Sequence, residues 1–143
     1  MDLMAQLAKT KKDAHIFAVS PAPKRHAVLS NIALLLNERR EEIKKINKID
    51  IINAENMDLS SAMIDRLRLT DKEIDSMIKA VNEISMQKEV IGEVISGYTR
   101  PNGLKIRKVR VPLGVAGIIY ESRPNVTIDS AALCIKSGNG AVL

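Results

Sequence analysis

The sequence predicts an α/β chain with helices over residues 1–88, a strand pair over 89–112, and the start of a β-α-β unit of an open parallel sheet over 113–143. Three observations carry this. Apolar residues recur at helical spacing through the first part and alternate with basic residues after Lys88. They then run together over Val115-Ala116-Gly117-Ile118-Ile119-Tyr120, the pattern of a strand buried on both faces. With 143 residues, 45% of them hydrophobic and 27% charged, the chain is long enough for a sizeable core and is not disordered by composition.

The elements follow in order. Leu3, Met4, Leu7, Ala14 and Phe17 share one helical face, with lysines on the other. Ser20-Pro21-Ala22-Pro23 ends that helix, and Ser20 is expected to cap a second one with Pro21 at its first position, where a missing N–H costs nothing. The second helix is expected to run unbroken to about Glu55, with Val28, Ile32, Leu35, Leu36, Ile43 and Ile46 inward and Glu38-Arg39-Arg40-Glu41-Glu42 as a solvated face. Thr70 and Glu73 have capping-box spacing, and Ile74, Met77, Ile78, Val81 and Ile84 behind them outline a third helix.

After Lys88, residues 90–99 are β-like. Arg100-Pro101-Asn102-Gly103 has the Pro and Gly of a tight turn, and Leu104, Ile106, Val109 and Val111 alternate with basic residues. The alternation loses phase at Arg107-Lys108, which predicts a bulge there. Beyond the apolar run at 115–120, a helix is expected over 127–136. Asn125 or Thr127 would cap it, Asp129 would lie in its first turn, and Lys136 and Gly138 would end it. Ala141-Val142-Leu143 opens a second apolar strand. Ligands of open α/β sheets bind outside the carboxyl ends of the strands, so the polar break Glu121-Ser122-Arg123-Pro124-Asn125 falls where a site belongs. A Rossmann fingerprint would place glycines after the strand. Here Gly114 and Gly117 come before and inside it, so the usual pyrophosphate cradle is missing.

Composition narrows the function. The net charge is +5, and of the 22 basic residues five lie between Arg100 and Arg110 with no acid among them. The other 17 balance the 17 acids. That basic strand face is expected to be solvated or to protect a sheet edge, and nucleic acid is not expected as a partner, because Phe17, Tyr98 and Tyr120 are too scattered to stack bases. Cys134, the single cysteine, has no partner for an internal disulfide and sits among apolar residues as a buried, inert thiol. With only His15 and His26, no metal is expected. No apolar run approaches a membrane span and the first residues lack a signal-peptide pattern, so a cytoplasmic location without a membrane partner is expected.

Three stretches carry a resemblance. VRVPLGVAGIIYESRPNVTIDSAALCIKSGN, DRLRLTDKEI (65–74) and GEVISGYTRPNGLKI (92–106) resemble gamma-glutamyl phosphate reductase, also called glutamate-5-semialdehyde dehydrogenase, of the aldehyde dehydrogenase superfamily. YESRPNVT is the specific part. GVAG before a buried strand fits the wider superfamily. The spacer around Asn56-Met57-Asp58 is shorter than in many relatives, and the end reads SGNGAVL where SGN followed more directly by an apolar strand is expected.

The resemblance implies the N-terminal part of an aldehyde dehydrogenase-like fold, belonging to a cofactor-binding domain. The implied activity is NADPH-dependent reduction of L-glutamate 5-phosphate to L-glutamate 5-semialdehyde and phosphate, on the route to proline. The family's nucleophilic cysteine belongs to a later, catalytic domain, so this chain alone is expected to be inactive, and Cys134 is not that cysteine. Asn125 is implied as an oxyanion donor, against a plain role as helix cap. Arg123 is implied to grip the acyl phosphate or the substrate carboxylate, against a plain surface arginine. Tyr120, Glu121 and Ser122 are implied on the nicotinamide side of the pocket. The strand pair at 89–112 is implied as a homo-oligomer contact. Other readings are a different aldehyde dehydrogenase superfamily enzyme using NAD, and a non-enzymatic helical interaction or nucleic-acid module.

Overall fold

The structure, a computed structural model, describes residues 2–121 and 123–143. In chain order it has α1 (Leu3–Ala18), α2 (Ala22–Glu38), α3 (Arg40–Asn56), α4 (Ser61–Leu67), α5 (Asp71–Met86), β1 (Val94–Thr99), β2 (Lys105–Val109), β3 (Val115–Gly117), α6 (Pro124–Lys136) and β4 (Gly140–Val142). The predicted order of helices, strand pair and β-α-β unit is the observed one.

The core forms where α2, α5 and α6 meet. Leu29, Ala33 and Leu36 of α2 pack with Ile74, Met77, Val81 and Ile84 of α5 and Ala132 of α6. Leu29, Ile74 and Val81 are completely buried. α5 is built as its sequence dictates. Thr70 donates its N–H to Glu73 Oε2 at 3.0 Å, its hydroxyl bonds the same oxygen, and the residues expected inside line the core.

The helix expected over 21–55 is two helices, broken at Arg39. No proline or glycine marks the break. Tertiary partners lie beside it: Arg40 donates to Asn37 Oδ1 (3.1 Å), Asp71 Oδ1 (3.1 Å) and Asp75 Oδ1 (2.6 Å), and Lys44 donates to Asp71, which fastens the start of α3 to the start of α5. The change of direction leaves Ile46 and Leu35 about half exposed, contrary to the inward placement expected of them. Ser20 does not cap α2. Pro21 occupies the cap position, and the Ser20 carbonyl instead accepts a hydrogen bond from the Arg25 guanidinium.

β1 and β2 pair antiparallel across the predicted turn, where Gly103 N–H donates to the Arg100 carbonyl at 2.9 Å. The irregularity falls between Val94 and Ser96 of β1, opposite Lys108 and Val109. The extra residue is therefore Ile95, and not one of the Arg107-Lys108 pair as expected. β3 and β4 pair in parallel, Val115 with Gly140 through Gly117 with Val142. Gly138 has φ +71, and a Cβ there would lie 2.7 Å from Ile91 Cδ1, so a side chain at the turn from α6 into β4 would be strained and crowded. Buried Asn139 then accepts from Gly114 N–H at 2.9 Å and sets the register of the two strands.

Two further expectations are corrected. β3 ends at Gly117 and not at Tyr120; among the described residues β3 has β4 as its only strand neighbour, and Ile119 beyond it is fully exposed. α6 begins at Pro124, three residues before the expected start, because proline suits the first helical position. Asp129 therefore lies beyond the first turn. Its Oδ1 is buried without a hydrogen-bond partner among the described residues, and burial pushes its carboxyl above the usual aspartate range.

Candidate functional site

Three pieces of chain meet where α4, α5 and the start of α6 come together. The first is the end of α4 and the short link to α5, carrying Asp65, Arg66 and Arg68. Its backbone is held from beneath by Asn47 of α3, 4% exposed, whose amide donates to the Leu67 carbonyl and whose oxygen accepts from Leu69 N–H, both at 2.8 Å. The second is the first part of α5, with Glu73 and Ser76. The third is the start of α6, with Arg123 at its cap position and Asn125 in its first turn. Together these residues line a cleft of about 340 Å3.

The cleft's carboxylates do not occupy its arginines. Glu73 is committed to Thr70, whose hydroxyl chiefly holds the Glu73 carboxyl below its ordinary range, and Asp65 makes no ion pair among the described residues. The arginine ion pairs among the described residues belong to Arg25, Arg40 and Arg110, so Arg66, Arg68 and Arg123 are without a carboxylate partner among those residues. All three are exposed to solvent.

The structure brings together two of the sequence-predicted site residues, Arg123 and Asn125. Asn125 is not at the cap position of α6: Arg123 is, with no side-chain cap hydrogen bond among the described residues, and Asn125 lies inside the helix and lines the cleft. Tyr120 and Glu121 do not line this cleft. The Tyr120 hydroxyl shares a 2.5 Å hydrogen bond with Thr127 Oγ1 along α6, and Glu121 is exposed. Ser122 lies outside the described residues. Sequence reasoning missed Arg66 and Arg68 as site residues, although they stand in DRLRLT. Only the tertiary fold carries them across to Arg123.

A larger groove of about 580 Å3 runs between α1 and the α6–β4 face, lined by Phe17, Val28, Cys134 and Ile135 among others. It is away from the 118–125 loop and carries none of the predicted polar groups. Cys134 is buried and its thiol is pushed up by burial, as the sequence led one to expect of an inert cysteine. No group of three metal-ligating side chains is found among the described residues, and no helix is long and apolar enough to cross a membrane.

Behind the cleft, a buried ion network locks α6 to the rest. Lys136, 7% exposed, donates to the Ser85 carbonyl at 2.9 Å and to Glu89 Oε1 at 2.5 Å. Arg25, 3% exposed, donates to Glu89 Oε2 at 2.7 Å. The two cations hold the Glu89 carboxyl below its ordinary range, Lys136 contributing most. Lys136 was expected simply as a cation at a helix end.

The polar cleft lies at the start of the helix that follows β3, and ligands of open α/β proteins bind outside the carboxyl ends of the strands. Comparison with known proteins finds relatives in sequence and in fold. The chain is 48% identical over 135 residues to gamma-glutamyl phosphate reductase of Bartonella bacilliformis, covering 94% of this chain and 33% of that protein. Its fold matches the solved gamma-glutamyl phosphate reductase of Thermotoga maritima with a TM-score of 0.92 at 41% identity, over 98% of this chain and 34% of that one. It matches the Saccharomyces cerevisiae protein of the same name with a TM-score of 0.91 at 30% identity, over 99% and 36%. No family model matches the chain. Over the part aligned, the chain is similar in sequence and fold to the gamma-glutamyl phosphate reductases, and it spans about a third of the length of the relatives it matches.

Proposed function

We propose that the complete protein carrying this chain reduces L-glutamate 5-phosphate to L-glutamate 5-semialdehyde and phosphate, on the route to proline. The observation that supports this most is the similarity to proteins of that name across nearly the whole chain, in sequence and in fold alike. In this reading the chain is the N-terminal part of the cofactor-binding domain. It comprises helices over 1–88, a strand pair over 89–112 and the start of the nucleotide-binding β-α-β unit over 113–143. The nucleophilic cysteine lies in a later, catalytic domain, so the 143 residues alone are inactive.

The chemistry runs in two stages. A cysteine thiolate attacks the acyl carbon, a thioester forms, and the acyl–oxygen bond breaks with phosphate leaving. Hydride transfer to the thioester carbonyl, followed by loss of thiolate, leaves the aldehyde. NADPH, when bound, supplies the hydride. Residues 118–121 contain no glycine and end in acidic Glu121, so they fit the uncharged ring end of such a cofactor and not its phosphates. Tyr120, Glu121 and Ser122 would stand on that side. Asn125 donates its side-chain N–H to the carbonyl oxygen as negative charge develops there, a contact worth most in the transition state. Arg123 holds the anionic group of the substrate.

The strand pair stands out from the helical body, exposed along its whole length except at Ile106, and it is the homo-oligomer contact in this reading. The reading carries a cytoplasmic location, a small-molecule substrate, and no nucleic-acid or membrane partner. Purified complete protein should oxidise glutamate semialdehyde only when phosphate is present, with NADP reduced. Robust oxidation of simple aldehydes without phosphate would assign it to another aldehyde dehydrogenase superfamily enzyme using NAD.

A further inference from the structure

We infer that Arg66 and Arg68 join Arg123 in a receptor for the phosphoryl oxyanion of the substrate, so that the DRLRLT segment selects an acyl phosphate over an uncharged aldehyde. The inference rests on the reading of function above and adds two residues to it. Three guanidiniums from two separate segments line one cleft of about 340 Å3 together with Asn125, and among the described residues none is neutralised by a carboxylate.

Like charges gathered on one surface repel one another, and a bound dianion removes that cost. Planar guanidiniums meet phosphate oxygens with two parallel N–H donors each. The placement is built rather than incidental. Buried Asn47 clamps the backbone on both sides of Arg68, through the Leu67 carbonyl and Leu69 N–H. Arg123 and Asn125, at the start of the 13-residue helix α6, line the same cleft, and the start of a helix carries partial positive charge. Of the two acids in the lining, Glu73 is held by Thr70 and faces its own helix start. Asp65 offsets one of the three positive charges, and the lining keeps a net positive charge. Asn125 in the same lining puts the oxyanion donor of the proposed reaction beside the group that leaves.

The test uses the complete enzyme in the aldehyde-oxidising direction, with inorganic phosphate as the varied ligand. Arg66→Gln and Arg68→Gln should each raise KM for phosphate at least tenfold, with kcat lowered much less and KM for NADP changed less than twofold. Arg68→Lys, which keeps the charge but loses the fork, should fall between. Both side chains are exposed, so thermal unfolding of the variants should match the parent protein. An unchanged phosphate KM in both glutamine variants overturns the inference while leaving the function standing. A raised KM for NADP with phosphate KM unchanged assigns the arginines to a cofactor phosphate and overturns it too. If the parent enzyme shows no phosphate-dependent oxidation, the reading of function fails by itself. The receptor is then judged on the 143-residue chain by titrating inorganic phosphate at low salt against nitrogen-15-labelled protein. Saturable shifts of the Arg66, Arg68 and Arg123 side-chain N–H signals support the receptor, and their absence refutes it.

Discussion

Glu89→Ala tests whether the network behind the cleft is a structural necessity. Glu89 bonds two nearly buried cations, Arg25 at 3% and Lys136 at 7% exposure, and the Arg25 Nε has no partner among the described residues. Removing one member of a buried ion pair costs about 3–5 kcal/mol, because the other charge is left desolvated and unpaired. Here the Glu89 side chain is itself 37% exposed, so water reaches the pair and the expected cost falls to about 2–3 kcal/mol. A domain of this size unfolds in urea with a slope of about 1–3 kcal/mol per molar, which puts the expected drop in midpoint near 1–2 M.

Titration supplies an independent check. The Glu89 carboxyl lies below its ordinary 4.5 in the folded state, held there first by Lys136 and then by Arg25. A depressed carboxylate contributes stability that is complete above the unfolded value and is lost as pH falls through the folded one. The parent protein should therefore lose stability on acidification below about pH 4.5 more steeply than Glu89→Ala does. Adding Lys136→Met to Glu89→Ala should recover part of the loss, since one buried cation then remains in place of two. A urea midpoint within about 0.3 M of the parent, with parallel pH profiles, would refute the network as a source of stability.

Other expectations follow from single side chains. Asn47→Ala should cost about 2–3 kcal/mol, since it deletes two hydrogen bonds and leaves the Leu67 carbonyl and Leu69 N–H unpaired, and denaturant titration measures it directly. Asn125→Ala should lower kcat of the complete enzyme about 100-fold with little change in Tm, because Asn125 is not the cap of α6. Lost stability with full turnover would count against the oxyanion role. Asp129→Asn should raise Tm at pH 7 and leave it unchanged below pH 3.8. The raised Asp129 carboxyl is penalised only once the unfolded chain is ionised, and an equal gain at both pH values would place the effect elsewhere.

Local chemistry was legible in the residues. The Thr70–Glu73 capping box, the inward stripe of α5, the turn at Pro101 and Gly103, and the glycine stop at Gly138 each depend on neighbours within a few positions. Local spacing therefore determined them, and the order of elements with them. The position of Arg123 and Asn125 at a strand's carboxyl end followed from the same logic. The break at Arg39 could not be read, because no proline or glycine marks it and the contacts beside it, such as Arg40 with Asp71, come from 31 positions away. The extent of burial of residues 115–120 is likewise tertiary: an apolar run says what a strand can bury, whereas the neighbours present decide what it does bury, and within these 143 residues Ile119 is fully exposed. The cleft itself is tertiary. Arg66 and Arg123 are more than 50 positions apart, and what brings them together is the packing of α6 against α5, driven by burial of Ala132, Ile74 and Val81 and locked by Lys136 on Ser85 and Glu89.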